Sequence, residues 1–204
     1  MGLGDPGLNL DGQPLGQGLM QWTFECPWTC TEKHLGGGKK NTNNINNVTV
    51  FAQLLHMHSA GKRMNTSLFR DGRIETEAYV DYYDYRAAGA VAVRQPVVPY
   101  DILPGDSFLI TCFYESDDTS TVIFGKSFRD EMCISFIWYY PEIRSFHGTC
   151  GANNGDAACD GPFTATSLTS NEEMGRIFGS ELEHSCKAKS SSSTSETETI
   201  LSRK

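Results

Sequence analysis

Turn chemistry interrupts this chain so often that long helices have little room to form. From residue 19 onward, apolar runs are separated by "LGGGKKNTNN", "SAGK", "RDGR", "LPGD" and "ESDDTS". These combinations of Gly, Pro, Asn, Asp and Ser favour turns over continued periodic structure. Between them lie candidate strands at residues 19–26, 48–58, 62–70, 73–80, 90–98, 106–114, 121–124 and 131–140. The Asp-Gly of "RDGR" tolerates positive φ and marks a hairpin. Short strands at regular spacing, with almost no amphipathic helix, predict an all-β fold. We expect an antiparallel β-sandwich of jelly-roll-like form. One short helix is predicted at 171–178, with Ser170 and Glu173 forming a capping box.

The ends of the chain differ from its middle. Residues 1–18 are punctuated by Gly and Pro with little periodicity, and read as a lead-in left from an upstream domain. The terminal "KAKSSSSTSETETILSRK" is poor in apolar residues, so a disordered tail is expected over 187–204. The sandwich is therefore expected to occupy residues 19–186.

Seven cysteines are scattered along 204 residues, with no paired C-x2-C knuckles of the zinc-module kind. Scattered cysteines favour disulfides and an oxidising compartment. The sequons at Asn47 and Asn65 are compatible with a secretory route and are candidate glycosylation sites. The N-terminal segment has neither a basic n-region nor a compact apolar core, so it is not a signal peptide. Secreted-type cysteines without a leader lead us to expect a chain that is part of something longer. An excess of 25 acidic over 17 basic residues argues against a nucleic-acid partner. No apolar run approaches the roughly 18–20 residues of a transmembrane helix.

The stretch "FAQLLHMHSAGKRM" places His56 and His58 two residues apart on one candidate strand. Alternation points both rings to one face, about 6–7 Å apart along the chain, close enough to lean onto one ion. By parity Val48, Val50, Ala52 and Leu54 share that face, while Phe51, Leu55 and Met57 lie opposite. Both faces are then apolar, as for a buried strand, and the pair sits where the strand ends. Taken alone, the two rings fit ordinary hydrogen bonding in a core better than a metal site. Met132 in "FRDEMCISFIWYYP", taken alone, reads first as core filler, but two imidazoles and a soft thioether suit copper cycling between its two oxidation states. The Tyr82, Tyr83 and Tyr85 cluster in "YVDYYDYRAAGAV" reads as strand packing.

Four ordered blocks, "VFAQLLHMHSAGKRM", "RDGR", "LPGDSFLITCFY" and "DEMCISFIWYYP", with "CPWTC" upstream, resemble the copper type II ascorbate-dependent monooxygenases. That family includes dopamine β-monooxygenase and peptidylglycine α-hydroxylating monooxygenase, and the likeness is to the dopamine β-monooxygenase-like branch. The resemblance covers about residues 22–150, more weakly to 186. It implies the second of two consecutive β-sandwich domains, where one copper meets molecular oxygen and a small-molecule or peptide substrate. It further implies His56, His58 and Met132 as ligands, ascorbate as external reductant, and hydroxylation of an activated C–H bond. The implied disulfides are Cys112–Cys133, Cys26–Cys150 and Cys30–Cys186, with Cys159 unpaired or replacing Cys186. The location implied is secreted or within a secretory vesicle.

Two departures accompany the resemblance. The other histidines, His34, His147 and His184, include no adjacent pair, so the electron-transfer copper domain is expected to be missing from this chain. Phe136 stands where relatives of this segment carry tyrosine. A non-catalytic secreted copper-binding or interaction sandwich is the alternative function, and a purely structural sandwich is a third.

Overall fold

The computed structural model describes residues 1–6, 10–36, 45–88, 98–116, 121–143, 148–151 and 159–168. Within Met1–Ser167, the larger of two compact units, two sheets form a sandwich. The first sheet is six-stranded, in the order β10-β9-β1-β8-β3-β6. Its members are β1 (Gly2–Asp5), β3 (Val48–His56), β6 (Tyr100–Ile102), β8 (Cys133–Tyr140), β9 (Thr149–Gly151) and β10 (Cys159–Asp160). The second is five-stranded, β11-β2-β7-β4-β5, built from β2 (Gly18–Cys26), β4 (Gly61–Arg70), β5 (Arg73–Val80), β7 (Ser107–Ser116) and β11 (Phe163–Ser167). No helix is long and apolar enough to cross a membrane among the described residues.

The sheets face each other across a core set by strand alternation. On β2, Trp22, Phe24 and Cys26 are buried while Gln21, Thr23 and Glu25 between them are not. The Trp22 ring meets Phe124 edge-on at 4.8 Å, and its indole N–H donates to the Leu15 carbonyl at 2.9 Å, so the one polar atom of a large core side chain is satisfied. The β4–β5 hairpin turns through Asp71 and Gly72, both at positive φ, as "RDGR" predicts.

Several elements depart from expectation. Residues 121–124 make only isolated bridges, Pro14 with Ile123 and Phe124 with Asp11 and Glu131, because the chain there is held at single points. Within the expected lead-in, β1 lies inside the sheet, antiparallel to β8 and parallel to β9, with Leu3, Leu10 and Leu15 buried. Its alternating glycines hide it from propensity, yet they are what lets it fit. A Cβ on Gly4 would run into the Cys133 carbonyl, and one on Gly2 would press on Ile134. An eight-residue helix, α1 (Trp28–Leu35), follows β2 directly. The expected strand 90–98, helix 171–178 and tail fall outside the described residues, apart from Val98.

Parity along β3 is corrected by a bulge. Val50 pairs with Tyr139 and Ala52 with Trp138, leaving Phe51 as the extra residue, 44% exposed. The bulge switches faces, so Val48 and Val50 join Leu55 and Met57 in the core. The histidines thus leave from the opposite, outer face.

Three disulfides staple the sandwich: Cys26–Cys150, Cys112–Cys133 and Cys30–Cys159. The expected Cys30–Cys186 pairing is corrected. Cys159 pairs in register with Cys150 on neighbouring parallel strands, and Cys30 follows Cys26 by four residues across the β2–α1 junction. The two cysteines of C-x3-C thus face two adjacent cysteines, with 5.6 Å between the Cα atoms of Cys30 and Cys159. The Cys112–Cys133 bridge, 21 residues apart in sequence, joins the sheets and stabilises by about 3 kcal/mol on loop-closure grounds. Peptide mapping without reduction should recover Cys30 linked to Cys159. A Cys30–Cys186 peptide would contradict this arrangement.

Candidate metal centre

Strand β3 ends at His56, whose partner across the ladder is Ile134 on β8. Met57 is fully buried, and both main-chain groups of Met57 are bound by one side chain: the Tyr83 hydroxyl accepts from Met57 N at 3.1 Å and donates to Met57 O at 2.5 Å. The residue between the two histidines is therefore pinned inward, which leaves His56 and His58 on the outer side. Their ring centroids are 5.0 Å apart and nearly perpendicular.

The ladder stops at His56, so the following amides need other partners. Glu131, fully buried, supplies them: its carboxylate accepts from His58 N at 2.8 Å and Ala60 N at 2.6 Å. Burial pushes the Glu131 carboxyl up to about 7, even though main-chain amides, that of Met132 among them, pull the other way. The folded state thus holds more protons on Glu131 than the unfolded chain between about 4.5 and 7, and this group's contribution to stability falls as pH rises through that window.

His58 Nδ1 lies 2.7 Å from the Asp130 carbonyl oxygen. A carbonyl only accepts, so Nδ1 carries a proton and Nε2 is the nitrogen left to meet a metal. Burial, then the neighbouring His58, lowers the His56 pKa to about 4, which keeps that ring neutral near neutral pH. The His56 ring is thereby in the form a metal needs. Met132 lies just ahead of β8, two residues before Ile134, the last residue paired with β3. The Met132 carbonyl accepts from the buried Tyr114 hydroxyl at 2.7 Å. A donor set of two imidazoles and a thioether fits copper.

Around the histidines the outer face is apolar. The Phe136 ring centre is 6.2 Å from that of His56, and the Tyr85 ring stands edge-on to His58 at 5.8 Å. Tyr85 begins the short helix α2 (Tyr85–Ala88). Phe136 brings no hydroxyl to this surface. Tyr82 is 73% exposed. Sequence reasoning missed the part Tyr83 plays, because a strand-packing tyrosine and a main-chain clamp look alike in one dimension. Glu131 was missed too, though an acidic residue at the head of an apolar run is the mark of a buried acceptor.

Elsewhere, Cys26, Cys30 and Cys150, and Cys30, His34 and Cys159, form tight clusters. Their sulfurs are in disulfides and so are not thiolate ligands. Asn47 is exposed just ahead of β3. Asn65 lies within β4, its amide donating to Glu77 at 3.3 Å. His147, His184 and Cys186 fall outside the described residues.

A family model described as the C-terminal domain of copper type II ascorbate-dependent monooxygenases matches residues 14–158. DBH-like monooxygenase protein 1 of Mus musculus is 36% identical over 120 residues, 58% of this chain and 18% of that protein. Tyramine beta-hydroxylase of Caenorhabditis briggsae is 32% identical over 118 residues, 57% of this chain and 18% of its own length. Dopamine beta-hydroxylase of Canis lupus familiaris is 32% identical over 99 residues, covering 48% and 15%. The chain spans a fifth or less of the length of each of these relatives.

Two measurements check the local geometry. Tyr83→Phe strips both partners from buried Met57 main-chain groups and should lower unfolding free energy by about 1–3 kcal/mol in chemical denaturation. In metal-free protein, the His56 Cε1 proton should titrate near pH 4 rather than near 6.5. The sign follows: the unfolded chain holds the extra proton in that window, so this ring makes stability rise as pH climbs through it.

Proposed function

The chain belongs to the copper type II ascorbate-dependent monooxygenase family, as its C-terminal domain, and from that premise we propose that His56, His58 and Met132 hold a single copper ion at which an activated C–H bond is hydroxylated. The observation that carries this reading is the His58 Nδ1 bond to the Asp130 carbonyl, which fixes the tautomer and leaves Nε2 free on the face shared with His56. Copper bound there supplies one-electron redox chemistry with molecular oxygen, and ascorbate supplies the reducing equivalents.

The chain's own residues hold the ion and shape its surroundings. Met57, clamped by Tyr83, keeps the two rings on one side of β3. Phe136 and Leu54, paired across β8 and β3, border His56 with carbon rather than with hydrogen-bonding groups. The substrate, a small molecule or peptide, therefore meets His56 across an apolar edge. The electron-transfer copper of this reading belongs to a separate N-terminal domain, so turnover requires that partner. The proposed working unit is the sandwich, β1 included. Its three disulfides suit a secreted protein or a secretory-vesicle lumen, where exposed Asn47 is the better placed of the two candidate glycan acceptors.

Copper titration of the purified chain, read by metal analysis after gel filtration, should give one ion per chain. His58→Ala should weaken binding by more than about 100-fold, since even outer partners of ligands are worth 10–100-fold. Met132→Ile should weaken Cu(I) by roughly tenfold or more and Cu(II) much less, because thioether prefers the softer ion. A His58→Ala variant that binds as the parent does would overturn the assignment.

A further inference from the structure

The acidic residue preceding Met132 has no part in the ligand set, yet its side chain reaches across to the main chain of His58, another candidate ligand, and of Ala60 beyond it. Glu131 is fully buried. One carboxylate oxygen takes the amide of His58 at 2.8 Å, and the other takes that of Ala60 at 2.6 Å. Its own main chain is anchored separately: Glu131 N donates to Ile123 O at 2.8 Å, and Gly125 N donates to Glu131 O at 3.1 Å. On either side, the Asp130 carbonyl holds the His58 ring and the Met132 carbonyl is held by Tyr114. Regular β3–β8 pairing has ended two residues earlier, at His56 and Ile134. Beyond that point the Glu131 carboxylate does the work of a ladder, joining the segment that carries His58 to the segment that carries Met132.

We propose that Glu131 is a positioning residue that sets the reach between the histidine pair and Met132, so that the thioether and the imidazoles can meet at one ion. This inference rests on the copper reading of the site. A carboxylate suits the task because it accepts from two diverging amides at once. A carboxamide opposes one of them with its own N–H groups, and an aspartate keeps both oxygens but retracts them by one methylene.

The test compares Glu131→Gln and Glu131→Asp with the parent and with Arg70→Met as a gauge of plain destabilisation. Arg70 pairs in a bidentate manner with buried Asp106, at the end of β4 remote from Gly61, about 30 Å of strand away. Cu(I) affinity is read by competition with bicinchoninate. Ligation by sulfur is read from the Met132 methyl 13C shift on Cu(I) loading, and folding from circular dichroism and thermal unfolding. Both Glu131 variants should stay folded at low temperature, lose at least tenfold in Cu(I) affinity, and show little copper-dependent movement of the Met132 methyl. Arg70→Met should lower thermal stability and keep affinity within about twofold. If Glu131→Gln does not fold, Glu131→Asp decides alone by the same readings. Parent-like affinity and methyl shift in the folded variants would overturn the positioning role while leaving the copper reading intact. A parent that takes up no Cu(I) would overturn both.

Discussion

Strands β3 and β8 run antiparallel with a single bulge at Phe51, and that register decides which face the end of β3 presents. Before the bulge, Val48 and Val50 fill the core. After it, Leu55 and Met57 do so, and the histidines emerge on the outer face. A one-residue slip would exchange the faces and bury both rings. Past the last β3–β8 pair, the Asp130 carbonyl and the Glu131 carboxylate link the segment ahead of β8 to His58. The Cys112–Cys133 bridge fixes the start of β8 to β7, so the chain is tied to the opposing sheet one residue after Met132.

Around this pairing, polar groups replace the hydrogen bonds that the ladder no longer provides. Tyr83 clamps Met57, Glu131 takes the amides of His58 and Ala60, and the Asp130 carbonyl fixes the His58 ring. Each group is buried or partly buried, where an unmade hydrogen bond is costly, so the turn after β3 has few alternative conformations. The protonated Nδ1 of His58 and the perpendicular approach of the two imidazoles then follow from packing. The same burial that lowers the His56 pKa raises that of Glu131, since both shifts disfavour charge in a low-dielectric surround. Their effects on stability have opposite slopes with pH.

The sandwich was legible in the sequence wherever alternation and turn chemistry agreed, as in β2, β4, β5 and β7. It was illegible where the determining contact is non-local. β1 is a Gly-Leu-Gly-Asp segment whose fitness for the sheet depends on the Cys133 carbonyl and Ile134 against it. The bulge at Phe51 inverts the parity of half of β3 and leaves no mark in composition. Cys30 meets Cys159 only because β10 lies parallel to β9. The candidate ligands could be named because His-x-His and Met carry their chemistry in the side chain. Glu131 and Tyr83 act on main-chain groups distant in sequence, which a one-dimensional pattern does not display.

The central claim, that two imidazoles and one thioether converge on one copper ion, is tested most directly by X-ray absorption at the copper edge of the Cu(I)-loaded chain. The account predicts a first shell with two imidazole nitrogens and one sulfur, the sulfur vanishing in Met132→Ile. A first shell without sulfur in the parent, or one unchanged by that substitution, would contradict it.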